Sequence, residues 1–290
     1  MDSNRLVSFV VGAIVISVFI EQGVTSVVSD DPSMYDNYNV VWGSDHVRSS
    51  NVGKNVQIFL DQVSGAGFQS KRKYGSGFFH LNIKLPGSNS GGVVTAFYLT
   101  STSSNHHDEL DFEFLGNNDG KPHYLQTNVI ADGKGDREQR ISLWFDPTSS
   151  HHSYRILWNR HQIVFFVDKY PIRVFKNKHN IGVDFPSQPM NIMCSIWNGD
   201  SWATDGGQTK INWTYAPFTA GFRSFSIYGC PTENSMGPCS STKYWWNRNQ
   251  FWQLDPSQEQ AYQTVKRKYL IYDYCTDHKR FPTPPPECPQ

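Results

Sequence analysis

Three carboxylates, Glu109, Asp111 and Glu113, recur at every second position of the sequence. Successive side chains of a strand point to opposite faces, so this spacing predicts one acidic face. The residues between and after them, Leu110, Phe112 and Phe114, are all apolar and predict a packed face. The acidic face must therefore open onto solvent or a cleft.

Like charges on neighbouring pleats repel one another. At ~6–7 Å and an effective dielectric of ~20, one pair costs about 2–3 kcal/mol. The easiest relief is for one carboxyl to keep a proton near neutral pH. A carboxylate that attacks an anomeric carbon, beside a carboxylic acid that protonates the leaving oxygen, is the pair that a retaining glycosidase needs. The third acid could orient the nucleophile and tune its ionisation.

Two other interpretations of the acidic strand stay open, namely a solvated outer face and a Ca²⁺ site. The expected distance between Glu109 and Glu113 also argues against catalysis. Residues i and i+4 of an ideal strand lie ~13 Å apart, whereas the retaining mechanism needs carboxyls about 5–5.5 Å apart. Three features favour catalysis: the apolar reverse face, the flanking His106-His107 and Gly116-Asn117, and the many Trp and Tyr residues.

The composition argues against a charged partner. The 290 residues have a net charge of zero, 18% charged residues and 14% aromatic residues. This balance gives no basis for binding nucleic acid or an anionic membrane. Sugars fit better, because their C–H faces can lie on aromatic rings.

The N-terminus predicts export. Arg5 precedes an apolar run at residues 6–20, and mostly small residues follow it. We expect residues 1–29 to be a signal peptide, cleaved between residues 23 and 30, with an uncleaved anchor as the alternative. The mature protein would then be secreted, with no attachment to the membrane after cleavage.

The cysteines fit an oxidising compartment. Four of the five, Cys230, Cys239, Cys275 and Cys288, lie near the C-terminus. Local pairing, Cys230–Cys239 and Cys275–Cys288, is the simplest of three arrangements. Cys194 lies in a predicted buried strand and is expected to be a free thiol. No spacing suits structural zinc, and we expect neither a metal nor a cofactor. Asn212 begins the one N-glycosylation sequon of the chain.

Most of the chain predicts short strands. Val56, Ile58 and Leu60 alternate with other residues, as do apolar residues from Phe79 to Leu85. Further strands are predicted at 93–99, 110–115, 124–130, 155–158, 163–168 and 222–228. Turn-forming residues separate them, so the fold class is an all-β, curved antiparallel sandwich of the jelly-roll type with an open cleft.

The pattern changes after residue 228. Asp255, Pro256 and Gln258 predict a helix start, and Tyr262, Val265 and Tyr269 share one face of that helix. A strand at 270–274 follows. We therefore predict a catalytic domain at 30–228 and a disulfide-linked extension at 229–290, packed on the sandwich.

The segment HDELDFEFLG at 107–116 resembles the signature of the plant xyloglucan endotransglucosylase/hydrolases, in glycoside hydrolase family 16. LQTNV at 125–129, DGKGDREQR at 132–140, LWFDPT at 143–148 and PIRVFKN at 171–177 also fit, as do WAT at 202–204 and YCTD at 274–277. The similarity covers nearly everything after residue 35.

The resemblance implies that Glu109 is the nucleophile, Asp111 its helper and Glu113 the general acid/base. It also implies glucan contacts from residues on several strands and loops. These are Tyr98, Gln126, Thr127, Asn128, Asp136, Arg137, Glu138, Arg140, Trp197, Ser201, Trp202, Gly206, Tyr272 and Arg280. Core packing is the alternative for the aromatic residues, and a loop salt-bridge network is the alternative for Asp136 and Glu138.

The chain departs from the family pattern at several positions. Asn117-Asn118-Asp119 lacks the sequon that many members have there. Ser201 replaces a common Asp, and Asp205 replaces a common Arg, which could alter the choice of sugar chain. The loop between Trp197 and Trp213 is short, as in the transferase-type members.

The function implied is a monomeric transglucosylase of the cell wall or apoplast. It would cleave xyloglucan and join the new end to an oligosaccharide or polysaccharide acceptor. The alternatives are an endo-β-glucanase that hydrolyses xyloglucan, a transglucosylase that uses cellulose or mixed-linkage glucan, and a non-catalytic glycan-binding protein.

Overall fold

A computed structural model describes residues 31–103 and 106–288. The predicted signal peptide lies outside these residues. Within them, the chain forms 16 strands and two α-helices. The strands are β1 Tyr38–Trp42, β2 Val47–Ser50, β3 Asn55–Leu60, β4 Ala66–Ser70, β5 Tyr74–Lys84, β6 Val93–Ser101, β7 Glu109–Leu115, β8 Tyr124–Ile130, β9 Gln139–Ser142, β10 His152–Trp158, β11 Gln162–Val167, β12 Tyr170–Lys176, β13 Met190–Asn198, β14 Phe218–Arg223, β15 Ile227–Pro231 and β16 Leu270–Asp273.

The helices are short. Helix α1 spans Met34–Asn37 and α2 spans Pro256–Tyr269. Single 3-10 turns lie at Ser44–His46, His179–Ile181, Asp205–Gly207, Trp213–Tyr215, Gly237–Ser240, Trp245–Asn247, Asn249–Phe251 and Tyr274–Thr276. In the described part of the chain, no helix is long and apolar enough to cross a membrane.

The strands pair antiparallel throughout and fold into two layers. The first layer, sheet A, has the order β1-β4-β13-β6-β7-β8-β9-β16. The second, sheet B, has the order β12-β11-β10-β5-β14-β3-β2, and β15 also pairs with β5. Among the strands of residues 31–103 and 106–288, one residue pair, Met190 with Tyr74, joins the two layers. The expected all-β antiparallel sandwich is confirmed.

The core fills the space between the sheets. Phe112 of sheet A meets Phe165 and Tyr154 of sheet B edge-on, with ring centroids 5.1 and 5.8 Å apart. Phe114 lies 4.5 Å from the Tyr154 ring. Leu110 is fully buried as well. The apolar face of the acidic strand is therefore the inner face of sheet A, as its alternation predicts.

One predicted strand is wrong in its extent. Residues 222–228 do not form a continuous strand, because β14 ends at Arg223 and β15 begins at Ile227. Ser224 between them has φ of +66°, which no extended strand accommodates. The backbone turn here lets β14 pair with β3 while β15 pairs with β5.

The C-terminal segment extends sheet A. Asp255 caps α2 in a capping box with Gln258, and Pro256 occupies the first helical turn, as predicted. Tyr269 packs on Trp144 with ring centroids 5.1 Å apart. The chain then enters β16, which pairs with β9 and becomes the last strand of sheet A.

The disulfides fix this segment. Cys230 bonds to Cys239 and Cys275 bonds to Cys288, which is the local pairing that the sequence favours. Cys194 is a buried free thiol. Glu287, beside the second disulfide, forms a buried ion pair with Arg137, at 2.6 Å from Nε to Oε1.

Candidate active site

The outer face of sheet A is a groove. Asp111, Ala96 and Ser195 lie on adjacent or nearby strands and point away from the core, yet only 4–6% of each is exposed. Side chains that rise on either side must therefore cover them. We call this surface the groove.

The three acids project into the groove from β7. Its neighbour β6 places Thr100, Tyr98 and Ala96 opposite Glu109, Asp111 and Glu113. On the other side, β8 places Asn128 opposite Asp111 and Gln126 opposite Glu113. The strand register therefore brings together residues that lie far apart in the sequence.

Glu109 lies beside a histidine. Its Oε2 lies 3.2 Å from Nε2 of His107, two residues earlier, and 22% of its side chain is exposed. Asp108 anchors this end of β7, because its carboxylate accepts the backbone N–H groups of Asp132, Ser187 and Gln188 at 2.6–2.8 Å. These contacts hold the start of the strand in place.

Asp111 lies between the two glutamates and is buried. Burial raises the pKa of its carboxyl well above the usual value, and the charges of Glu109 and Glu113 raise it further. A hydrogen bond with Glu109 acts in the same direction. The raised pKa favours a protonated Asp111, and a hydrogen bond from its O–H to the Glu109 carboxylate relieves the repulsion that the sequence implies.

Glu113 has a different environment. Burial raises the pKa of its carboxyl, whereas a hydrogen bond from Gln126 lowers it; the charge of Glu109 raises it again. Nε2 of Gln126 donates to Oε2 of Glu113 at 2.8 Å, and Oε1 of Gln126 accepts from Nε of Arg140 at 2.6 Å. A guanidinium only donates, so Arg140 fixes the orientation of this amide. The net upward shift favours a Glu113 that holds a proton and can release it.

A polar network continues from Arg140 to the C-terminal segment. Arg140 lies over the ring of Tyr272, with Cζ 5.9 Å from the centroid. Nη1 of Arg280 donates to Tyr272 at 3.4 Å and to Glu138 at 2.7 Å, and Arg280 also pairs with Asp136. Asp136 and Glu138 thus form the loop salt-bridge network that the sequence left as their alternative role.

Aromatic residues line the opposite side. Burial and the charge of Glu109 raise the pKa of Tyr98 to about 12, so its phenol stays protonated. Trp197, on β13, and Trp202 are half-buried, with ring centroids 6.0 Å apart. Ser201 and Gly206 nearby are exposed, and a Cβ at Gly206 would meet open space.

Two residues of the predicted binding set lie elsewhere. Thr127 is fully buried on the core side of β8, where its hydroxyl accepts from Arg173 at 3.0 Å. The Arg137 side chain is buried against Glu287. Neither side chain faces the groove. The sequence pointed to His107 only as a flanking residue, and it gave no role to Asp108 or Arg173, whose hydrogen bonds reach distant segments.

A separate cavity of about 630 Å³ lies between α2 and β12. Tyr262, Lys266 and Arg173 line it, and none of the three acids of β7 does. It does not offer a carboxylate pair on one strand. The groove is therefore the better candidate for an active site.

The antiparallel sandwich and the acidic strand in its groove are features of an enzyme that processes glycans. Comparison with known proteins agrees. Residues 34–215 match the model of glycosyl hydrolases family 16, and residues 240–288 match the xyloglucan endo-transglycosylase (XET) C-terminus.

Similar proteins extend over most of the chain. Xyloglucan endotransglucosylase/hydrolase protein 3 of Arabidopsis thaliana is 53% identical over 87% of both chains. Protein 2 of the same plant is 55% identical over 87% of both. The chain belongs to glycosyl hydrolases family 16 and, within it, to the xyloglucan endotransglucosylase/hydrolases.

Solved structures share the fold. The Bacillus licheniformis β-glucanase has a TM-score of 0.54 and 23% identity, and it covers 64% of this chain and 89% of its own. The apo Crh5 transglycosylase has a TM-score of 0.55 and 23% identity, with 68% and 80% covered. At this identity, the comparison concerns the fold alone.

Proposed function

We propose that the protein is a secreted, retaining endotransglucosylase that cleaves the β-1,4-glucan backbone of xyloglucan and joins the new end to another xyloglucan chain. The relatives named above carry this activity in their names. The observation that carries the proposal is that two glutamates of β7, Glu109 and Glu113, have different environments. Glu109 lies beside His107, whereas burial raises the pKa of Glu113.

The reaction has two displacements. In the first, the Glu109 carboxylate attacks the anomeric carbon, the glycosidic C–O bond breaks, and Glu113 gives its proton to the leaving oxygen. In the second, a hydroxyl of the acceptor gives its proton to Glu113 and its oxygen attacks the same carbon. The ester bond to Glu109 then breaks, and both carboxyls return to their starting states.

Asp111 serves this cycle from between the two glutamates. Its proton is shared with Glu109 through their hydrogen bond and steadies the carboxylate before attack. A sugar acceptor gives transfer and a water acceptor gives hydrolysis. The outcome depends on how well the groove holds the acceptor while the ester exists.

The test uses label transfer. The protein is incubated with xyloglucan and a labelled xyloglucan oligosaccharide, and incorporation of label is compared with release of reducing ends. We expect label to enter the polymer, and we expect Glu109→Ala to abolish both signals while xyloglucan binding survives. Glu259→Ala, at an exposed position of α2, is the matched control. Ordinary turnover by Glu109→Ala would refute the mechanism.

The same assay separates the alternatives. Reducing ends without label incorporation would indicate a hydrolase. Label incorporation with cellulose or mixed-linkage glucan, at rates above those with xyloglucan, would indicate a different donor. Binding without any turnover by the unaltered protein would indicate a glycan-binding protein.

We also propose that the protein acts as a monomer in the cell wall or apoplast, with residues 30–228 as the catalytic domain and 229–290 as its extension. The two disulfides suit that compartment. Asn212 is exposed and its carboxamide oxygen accepts from the Thr214 hydroxyl at 2.8 Å, so a glycan can extend from it into solvent. Light scattering and enzymatic deglycosylation of the secreted protein test these two points.

A further inference from the structure

Trp42 occupies an unusual place at the end of β1. The register between β1 and β4 shifts between Val40 and Trp42, so Val40 lies opposite Phe68 and Trp42 lies opposite Gly67. Phe68 is fully buried in the core, and Val40 packs against that core. Gly67 precedes Phe68, so a side chain there would point to the outer face. The irregularity therefore turns Trp42 to the groove side of sheet A.

The indole of Trp42 lies directly on the backbone of two glycines. A Cβ at Gly67 would come within 2.3 Å of the indole Nε1, and a Cβ at Gly65 within 3.2 Å of its six-membered ring. Gly43, with φ of +61°, turns the chain away immediately after Trp42. The ring therefore packs against this backbone, while 39% of Trp42 remains exposed.

Trp42 belongs to the same transverse row as Glu113. The row crosses the strands of sheet A through residues that are direct partners in the ladders. In order, it contains Trp42, Gly67, Ser195, Ala96, Glu113, Gln126, Arg140 and Tyr272. Four strand spacings separate Trp42 from Glu113, which is about 19 Å.

We propose that Trp42 is a sugar-stacking site for the glucan backbone of a long polysaccharide chain that lies across the strands toward Glu113. The proposal rests on the proposed function, because it extends the same groove. A pyranose ring presents C–H groups that pack on an indole face, and the indole N–H donates to a hydroxyl. The distance of about 19 Å spans several sugar rings. Only a chain of that length reaches Trp42 from the site of cleavage.

The test compares substrate lengths. KM and kcat are measured for the unaltered protein, Trp42→Ala, Trp42→Phe and Trp252→Ala, with polymeric xyloglucan and with the shortest oligosaccharide that the unaltered protein cleaves. Trp252 is the matched control, since 37% of it is exposed and it stacks on His161, away from the groove. We expect Trp42→Ala to raise KM for the polymer about tenfold, with kcat and the short substrate unchanged. Trp42→Phe should recover most of this loss, and Trp252→Ala should have no effect.

Two results would overturn the proposal. One is a polymer KM for Trp42→Ala within twofold of the unaltered protein, and the other is an equal rise for both substrates. If Trp42→Ala fails to fold, NMR of the unaltered protein decides. The indole N–H resonance, assigned by its loss in Trp42→Phe, should shift with polymer and not with the short substrate. Failure of the proposed function is separate, because it shows as no xyloglucan turnover by the unaltered protein. The same length series is then run on the β-glucan that this protein binds.

Discussion

The groove has two unlike flanks on either side of β7. Over β6, β13, β4 and the end of β1, the prominent side chains are aromatic, and we call this side the aromatic flank. It contains Tyr98, Trp197, Trp202 and Trp42. Over β8, β9 and β16, the side chains are charged groups, an amide and a phenol that contact one another, and we call this side the polar flank. It contains Gln126, Arg140, Glu138, Tyr272 and Arg280.

The flanks differ in how the chain builds them. The aromatic flank comes entirely from segments before residue 229. The polar flank needs the C-terminal extension, because Arg280 reaches Glu138 from 142 positions away in the sequence. Stacking tolerates small shifts of a sugar ring, whereas hydrogen bonds demand direction. The two flanks should therefore control different steps, and variants on each should have different signatures.

The largest effect is expected on the polar flank. Arg140→Met keeps the bulk of the side chain but leaves Oε1 of Gln126 without its donor, which costs about 1–3 kcal/mol and slows transfer roughly 10- to 100-fold. Both Arg140 and the Gln126 hydrogen bond lower the pKa of Glu113. Their loss raises it, so the alkaline limb of kcat/KM, where Glu113 loses its proton, moves to higher pH. The pH–rate profile measures this shift.

The matched control is Arg267→Met, at an exposed position of α2. Its profile should coincide with that of the unaltered protein. If the alkaline limb of Arg140→Met did not shift, the Arg140–Gln126 hydrogen bond would not control the pKa at which Glu113 loses its proton.

A smaller effect of another kind is expected on the aromatic flank. Trp202→Ala removes a ring that packs near Trp197, and stacking of this type is worth about 0.5–1.5 kcal/mol. We expect KM for xyloglucan to rise up to about tenfold while the alkaline limb stays in place. Steady-state kinetics across pH measure both quantities. If Trp202→Ala shifted the alkaline limb of the pH profile and left KM unchanged, the aromatic and polar flanks would not control different steps.

The smallest effect concerns the stability of the protein and comes from Asp111 on β7, which lies between the two flanks. Asp111 has a raised pKa in the folded protein, so above pH 3.8 the unfolded chain releases a proton that the folded protein keeps. This difference lowers the free energy of unfolding as pH rises above 3.8. Asp111→Asn keeps a donor toward Glu109 and removes the penalty. We expect Tm to rise at pH 7, by roughly 2–4 °C for each ~1 kcal/mol relieved, and to be nearly unchanged below pH 3.8.

Calorimetry at the two pH values checks this prediction, and activity should fall in the same variant. A Tm gain that is equal at both pH values would mean that packing, and not ionisation of Asp111, limits stability there.

The sequence predicts the features that local sequence patterns determine. The two faces of β7, the cap of α2 by Asp255 and the local disulfides are all of this kind. Trp42 shows why features that depend on strand register could not be predicted. Strict alternation from Tyr38, which is buried, assigns Trp42 to the core, and only the shifted register with β4 reverses this. A register shift depends on the partner strand, which local pattern does not contain.

Thr127 and Arg137 show a second kind of limit. Their family motifs place them in the binding set, yet the alternation of β8 turns Thr127 to the core, and Glu287 holds Arg137 beneath the surface. The partner of Arg137 lies 150 positions away and depends on the fold of the extension. The resemblance predicts a set of binding residues, and the three-dimensional contacts show which of those side chains point into the core instead of the groove.

A trapping experiment decides whether Glu109 carries the sugar chain between two xyloglucan molecules. The protein is mixed with xyloglucan in the absence of a short acceptor, quenched in acid, digested and analysed by mass spectrometry. We predict a glycosyl ester on the peptide that contains β7, localised to Glu109, which disappears when an acceptor oligosaccharide is added. An ester on Glu113, or turnover with inversion of configuration and no ester, would show that Glu109 is not the nucleophile of a retaining enzyme.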